Sequence, residues 1–91
     1  MVVGILVTYE PDLAILGALL SALRQQVTKV FVVDNGSNFD VERAIRADFG
    51  AANWCQVVRL HSNLGIAAAQ NVGIERARKA GATFVVLFDQ D

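Results

Sequence analysis

The chain has 91 residues, 54% hydrophobic and 19% charged, which makes one small, unusually apolar domain and argues against disorder. A net charge of −1 with no basic stripe gives nucleic-acid binding no electrostatic support. The lone Cys55 excludes an internal disulfide and suits a reducing compartment. No stretch reads as a signal peptide, and no apolar run approaches the roughly 20 residues that a spanning helix needs. A cytoplasmic location is therefore expected. The surplus of apolar residues predicts a face that expects a partner, either more protein or a second copy in a homodimer.

The first element is "VVGILV" (Val2 to Val7), short, β-branched and apolar throughout. Such a run suits a strand covered on both faces of a parallel sheet. "TYEPD" follows as a loop, with Pro11 suited to a helix's first turn and Asp12 to its positive end. Leu13, Leu16, Leu20, Leu23 and Val27 recur at steps of three and four, one face of a helix. "KVFVVD" is a second strand and "NGSN" a turn. Asp40 can cap a second helix whose apolar stripe is Val41, Ala44, Ile45 and Phe49. "CQVVRL" is a third strand. A third helix is expected from near Leu64 to about Lys79, with Gly81 as its stop. Its stripe of Ile66, Ala69, Gly73, Ala77 and Ala80 is narrow and lets the helix lie close on a sheet. Gly73 costs about 1 kcal/mol there relative to Ala, so close packing is the expected compensation. "TFVVLF" is the fourth strand.

This order, βαβαβαβ with short connections, predicts an α/β fold: a three-layer, Rossmann-like parallel sheet with right-handed crossovers. Its expected strand order is 3-2-1-4. In a parallel sheet the residues after each strand share one edge, and ligands of open α/β sheets bind there. That edge would gather Thr8, Tyr9 and Glu10; Asp34, Asn35 and Ser37; His61 and Asn63; and Asp89 and Asp91. With order 3-2-1-4, Asp34 lies two strands, roughly 10 Å, from the strand that carries Asp89.

Each group also has a plainer structural reading. Asp34-Asn35-Gly36-Ser37 can be only a turn, Asn63 only a cap, His61 a surface residue, Tyr9 a cover for the sheet edge, and the two acids solvated punctuation. Their convergence on one edge favours function. Asp89 and Asp91 in an extended chain point to the same side, with Gln90 turned away and α-carbons about 7 Å apart. Such a pair can engage Mg²⁺ or Mn²⁺, with diphosphate oxygens completing the shell.

Four motifs now appear in order, each after its strand: "VTYEP" (Val7 to Pro11), "VVDNGS" (Val32 to Ser37), "NLGIAAAQNVGI" (Asn63 to Ile74) and the final "DQD". Together they resemble the N-terminal half of inverting family 2 glycosyltransferases of GT-A fold, and most of all bacterial rhamnosyltransferases that use dTDP-rhamnose. The resemblance covers nearly the whole chain. It implies that residues 1–91 are a nucleotide-sugar-binding subdomain ending before the acceptor-binding half. It further implies that Thr8 and Tyr9 line the base pocket and that Asp34 accepts the N3–H of thymine or uracil. Asn63 and Gly65 would shape the loop over base and ribose, and Asn71 keeps its place in the motif. Asp89 would address the ribose or the ion, and Asp91 would be the principal metal ligand. The implied partners are a dTDP- or UDP-linked sugar and, through the other half, a polysaccharide or lipid-linked glycan acceptor. The full-length protein would then work at the inner face of the cell membrane.

Gln70 departs from the pattern, because many relatives carry Arg there; it can hydrogen-bond but brings no charge. An inverting transfer also needs a carboxylate to deprotonate the acceptor. Glu10 sits in the base region and suits that task poorly, so the isolated chain is expected not to transfer sugar. A NAD-binding domain would want G-x-G-x-x-G after the first strand, and "TYEPD" has no glycine. A receiver-like regulatory or assembly domain is the alternative of a different class, but no strand end supplies its lysine.

Overall fold

A computed structural model of the protein describes residues 1–49 and 53–90, apart from the side chain of residue 49. The elements are β1 (Val2–Thr8), α1 (Leu13–Leu23), β2 (Lys29–Asp34), α2 (Val41–Phe49), β3 (Cys55–Arg59), α3 (Ile66–Lys79) and β4 (Phe84–Asp89). The strands form one parallel sheet in the order β3-β2-β1-β4. The expected alternation and strand order are both present.

Period-two alternation distributes the strand side chains between two layers. Leu6, Val30, Val32 and Cys55 pack with Leu16, Leu20 and Leu23 of α1 and with Val41 and Ile45 of α2. On the opposite face Val3, Ile5 and Phe31 meet Ala77, and Val7 and Val33 meet Ala69. The sheet is thus sandwiched between α1 and α2 on one side and α3 on the other. Each fully buried Leu or Val contributes about 1.5–3 kcal/mol of transfer free energy.

The small-residue stripe of α3 has the expected purpose. A Cβ added to Gly73 would stand 2.5 Å from Cγ2 of Ile5 and 3.2 Å from Cγ2 of Val33. The helix therefore rides directly on β1 and β2, closer than any side chain would permit. The stripe is shorter than its sequence suggests: Ala69, Gly73 and Ala77 are buried, whereas Ile66 and Ala80 are exposed. Leu13 is likewise exposed at the start of α1, while Leu16, Leu20, Leu23 and Val27 are buried. The side chain of Phe49, expected in the stripe of α2, lies outside the described residues.

Local chemistry ends the helices as anticipated, with two shifts. Asp12 is the N-cap of α1, accepting from the N–H groups of Ala14 and Ile15. Pro11 precedes that cap and is buried rather than occupying the first turn. Asp40 accepts from Arg43 N–H at the start of α2. At the other end of α3, Gly81 has φ +87°; its N–H donates to Arg78 O and Ala82 N–H to Ala77 O. That paired pattern is a Schellman stop. The helix begins at Ile66, two residues after its expected start, because Gly65 (φ 87°, ψ 158°) breaks the turn.

β4 is apolar yet uncovered. Phe84 is 68% exposed, and Val85, Val86 and Leu87 are exposed too. The surplus of apolar residues seen in the composition is located here. Among the described residues no helix is long and apolar enough to cross a membrane.

Candidate functional site

The strand tips are knitted by main-chain bonds that extend the ladders. Asn35 N–H donates to Thr8 O (2.7 Å) and Leu60 N–H to Asp34 O (2.9 Å). Thr8 and Asp34 are the last paired residues of β1 and β2, and Val7 pairs with Asp89 of β4. Thr8, Asp34 and Asp89 thus end their strands on one edge of the sheet, with β1 between the two acids.

Asp34 is 1% exposed. Its Oδ1 accepts from Thr8 Oγ1 (2.8 Å) and Ser37 Oγ (2.7 Å), and its Oδ2 accepts from Ser37 N–H (3.0 Å). Glu10 N–H donates to the same Ser37 Oγ, and Asn38 N–H donates to Glu10 Oε1. The chain of bonds Glu10–Ser37–Asp34–Thr8 fixes the turn after β2 to the turn after β1. A carboxylate offers about four acceptor positions, of which three are used here. Oδ2 accepts one of these three bonds and Oδ1 the other two. Glu10 adopts φ +47°, the single described non-glycine residue with positive φ, a strain of about 1–3 kcal/mol that this bonding holds in place.

The loop before α3 is braced against the same turn. Asn35 Nδ2 donates to Asn63 Oδ1 (3.0 Å), and Leu64 N–H donates to Asn35 Oδ1 (2.8 Å). Asn63 Oδ1 also accepts from Gly65 N–H. Asn63 therefore shapes the loop rather than capping the helix, whose N-cap Gly65 provides no side chain. Gly36 makes the approach possible. It has φ +87°, and a Cβ there would fall 2.6 Å from Ser62 C and 2.7 Å from Asn63 N.

A cleft of about 230 Å³ opens between these tips, lined by Val7, Tyr9, Asn35, Asn63, Ile66, Asp89 and Gln90. It brings together three of the expected site residues, Tyr9, Asn63 and Asp89. Tyr9 stands at its rim, 46% exposed. Thr8 and Asp34 do not line it. They follow Leu6 and Val32 onto the α1–α2 face of the sheet, whereas Asp89 is in register with Val7 on the α3 face. A ligand touching both acids must cross the tip of β1. Gly65 does not line the cleft either, although Asn63 and Ile66 on either side of it in the chain do. Asn71 is exposed in the second turn of α3, on the side opposite Ala69 and Gly73, and does not reach the cleft. Asp91 lies outside the described residues. His61 is exposed beside Ser37 and Arg59 in a separate depression.

Three lining or bracing residues lie inside the sequence motifs but take no binding role of their own from them. Asn35 lies inside "VVDNGS" but reads as a turn residue until Asn63 is seen beside it. Ile66 reads as core and is instead on the cleft wall. Gln90, expected to turn away from the acids, lines the cleft with Asp89, and its carboxamide pairs with the main chain of Tyr9. A larger depression of about 380 Å³ lies between α1 and α2. It is mostly apolar and contains none of the expected site residues.

The sequence model for glycosyl transferase family 2 matches residues 5–91. The chain belongs to glycosyl transferase family 2. It is 40% identical over 88 residues to dTDP-rhamnosyl transferase RfbF of Shigella flexneri. The aligned region covers 97% of this chain and 28% of that protein, so the chain spans just over a quarter of its relative's length. The α/β sheet of order β3-β2-β1-β4 agrees with the N-terminal Rossmann-like half of the GT-A fold expected for family 2.

Among the described residues no group of three or more His, Cys, Asp or Glu side chains could hold a metal. Asp89 is the carboxylate in the cleft, and its other polar lining is amide and phenol. One or two carboxylates with substrate phosphates suit Mg²⁺, so the donor set fits an ion that arrives with a diphosphate rather than a preformed cage.

Proposed function

We propose that residues 1–91 are the donor-binding subdomain of a sugar transferase that takes a nucleoside-diphosphate sugar, with dTDP-rhamnose the favoured donor. The observation that carries this reading is the convergence of Tyr9, Asn63 and Asp89 on one cleft at the carboxyl edge of a family 2 sheet. The dTDP-rhamnosyl transferase of Shigella flexneri to which the chain is similar supports the choice of donor.

In this reading the thymine ring lies across the tip of β1, with Thr8 and Tyr9 lining its pocket and its N3–H turned to Asp34. A charged acceptor suits that bond, because charge-assisted bonds are the stronger kind. Asn63 and Gly65 hold the loop against base and ribose. The start of α3 has no side-chain cap and borders the cleft, which favours an anionic diphosphate. Asp89 and Asp91 would hold Mg²⁺ or Mn²⁺ together with the diphosphate. When bound, that ion would stabilise the departing nucleoside diphosphate as a Lewis acid. The acceptor would be a glycan, polysaccharide or lipid-linked, bound by protein beyond this subdomain. The 91-residue chain would bind the nucleotide. The full protein would act in the cytoplasm at the inner face of the membrane.

Thermal shift with dTDP and UDP, with and without Mn²⁺, tests the reading. A Mn²⁺-dependent nucleotide shift is expected. A shift with NAD alone, or stabilisation by a phosphoryl mimic alone, would contradict it in favour of a dinucleotide or receiver-like domain.

One observation supports an addition. The exposed apolar residues of β4 form a strip that a second copy would cover, so we include a homodimer. A purely monomeric chain in analytical ultracentrifugation at high concentration would remove it.

A further inference from the structure

The two-residue segment after β1 has an unusual set of attachments. The β1–β4 ladder ends at the pair Val7 and Asp89. Three residues after Val7 the main chain of Glu10 turns through φ +47°, so β1 cannot continue as a strand. Tyr9 would then face β4 with no main-chain partner. Instead Tyr9 N–H donates to Gln90 Oε1 (2.8 Å), and Gln90 Nε2 donates to Tyr9 O (2.9 Å). The side-chain amide acts as a substitute peptide group and supplies one further rung.

We propose that Gln90 is a positioning residue for the donor site: its paired bonds to Tyr9 fix how Asp89 and the tyrosine ring enter the cleft. This rests on the donor-site reading above. Gln90 immediately follows Asp89, so anchoring its side chain to β1 restricts the backbone that directs that carboxylate. Tyr9 is held on its other side as well, because Glu10 N–H donates to Ser37 Oγ and Asn38 N–H donates to Glu10 Oε1. The clasp therefore joins the half of the site at β4 to the bonded network around Asp34. The residue type is demanding. An amide side chain donates and accepts side by side in one plane without needing to change protonation, and asparagine is a methylene shorter. Methionine fills the same space with no strong donor or acceptor; glutamate keeps the acceptor and loses the donor.

The test compares the wild-type chain with Q90M and Q90E. Amide exchange of Tyr9 is followed by NMR, and dTDP affinity is measured by calorimetry with and without Mn²⁺. Q90M should lose protection at Tyr9 N–H and lower the Mn²⁺-dependent gain in dTDP affinity by about tenfold, equivalent to about 1.4 kcal/mol. Q90E should keep protection at Tyr9 and lose less of the gain. A residue important only for folding would weaken binding equally with and without Mn²⁺, and that outcome overturns the proposal. So does unchanged Tyr9 exchange in Q90M. Wild-type chain that binds no nucleotide overturns the donor-site reading and Gln90's role in it, while Tyr9 exchange still decides whether the clasp exists.

Discussion

Replacing Gly36 with alanine isolates the contact that brings the β2 turn against the loop before α3. Two costs are superimposed at this position. The backbone has φ +87°, where a side chain costs about 1–2 kcal/mol. The new Cβ would also meet Ser62 C at 2.6 Å, Asn63 N at 2.7 Å and Ser62 Cα at 2.8 Å, all main-chain atoms that cannot rotate aside. Relieving that overlap costs about a further 1–3 kcal/mol, as overpacking generally does. Gly81 is the internal control. It has the same φ of +87°, but an added Cβ meets nothing within 4 Å. Gly36→Ala should therefore destabilise by about 2–5 kcal/mol and Gly81→Ala by about 1–2 kcal/mol. Equilibrium urea unfolding at constant m-value measures both. At 4–8 °C per kcal/mol for a domain of this size, the further 1–3 kcal/mol should lower Tm for Gly36→Ala by roughly 4–24 °C beyond the control. Separation of the loops should also loosen Asn35 from Asn63 and Leu64 and increase exchange at Leu64 N–H. Equal destabilisation by the two variants would refute the claim that close approach, and not backbone conformation, sets Gly36.

Other consequences can be checked in the same way. Thr8→Val removes a buried donor to Asp34 Oδ1 and should cost about 1.5–3 kcal/mol in urea unfolding, the usual worth of a bond to a charged group. Gly73→Val places a branched side chain where even a Cβ lies 2.5 Å from Ile5, and should destabilise by about 2–3 kcal/mol in the same assay. Burial pushes the Cys55 thiol up from 9.0 to about 11, partly offset by the Arg46 guanidinium. The unfolded thiol ionises first, so the stability it provides is complete below pH 9 and falls as pH rises from 9 toward 11. Cys55→Ala should flatten that part of the pH–stability curve.

Much of the fold could be read from residue patterns because each element carries a strong periodic signal. The β-branched runs at Val2–Val7 and Lys29–Asp34 and the three-four spacing of Leu16, Leu20 and Leu23 leave few alternatives. Gly73 and Gly81 fall where close packing and a helix stop require them. Leu13 and Ile66 were misplaced because amphipathic spacing identifies a face but cannot say where along the helix the sheet ends. The edge shared by Asp34 and Asp89 was legible from strand order. Their opposite faces were not, because they depend on the register of Val7 with Asp89 and Thr8 with Asp34. The pairing of Asn35 with Asn63 and of Gln90 with Tyr9 joins residues far apart in the chain. Those bonds depend on loop geometry, which no local pattern encodes. β4 is legible as an apolar strand but its exposure is not, since composition reports what a strand would bury and not whether the covering surface is present.

The central claim is that a cation-bound sugar nucleotide sits across the tips of β1 and β4. Paramagnetic broadening of the assigned NMR spectrum by Mn²⁺ in the presence of dTDP measures this directly. Resonances of Tyr9, Asn35, Asn63 and Gln90 should broaden together and recover when Mg²⁺ displaces Mn²⁺. Broadening centred on Leu13, Ala44 and Asp48 in the α1–α2 groove, or no nucleotide-dependent broadening at the strand tips, would contradict it.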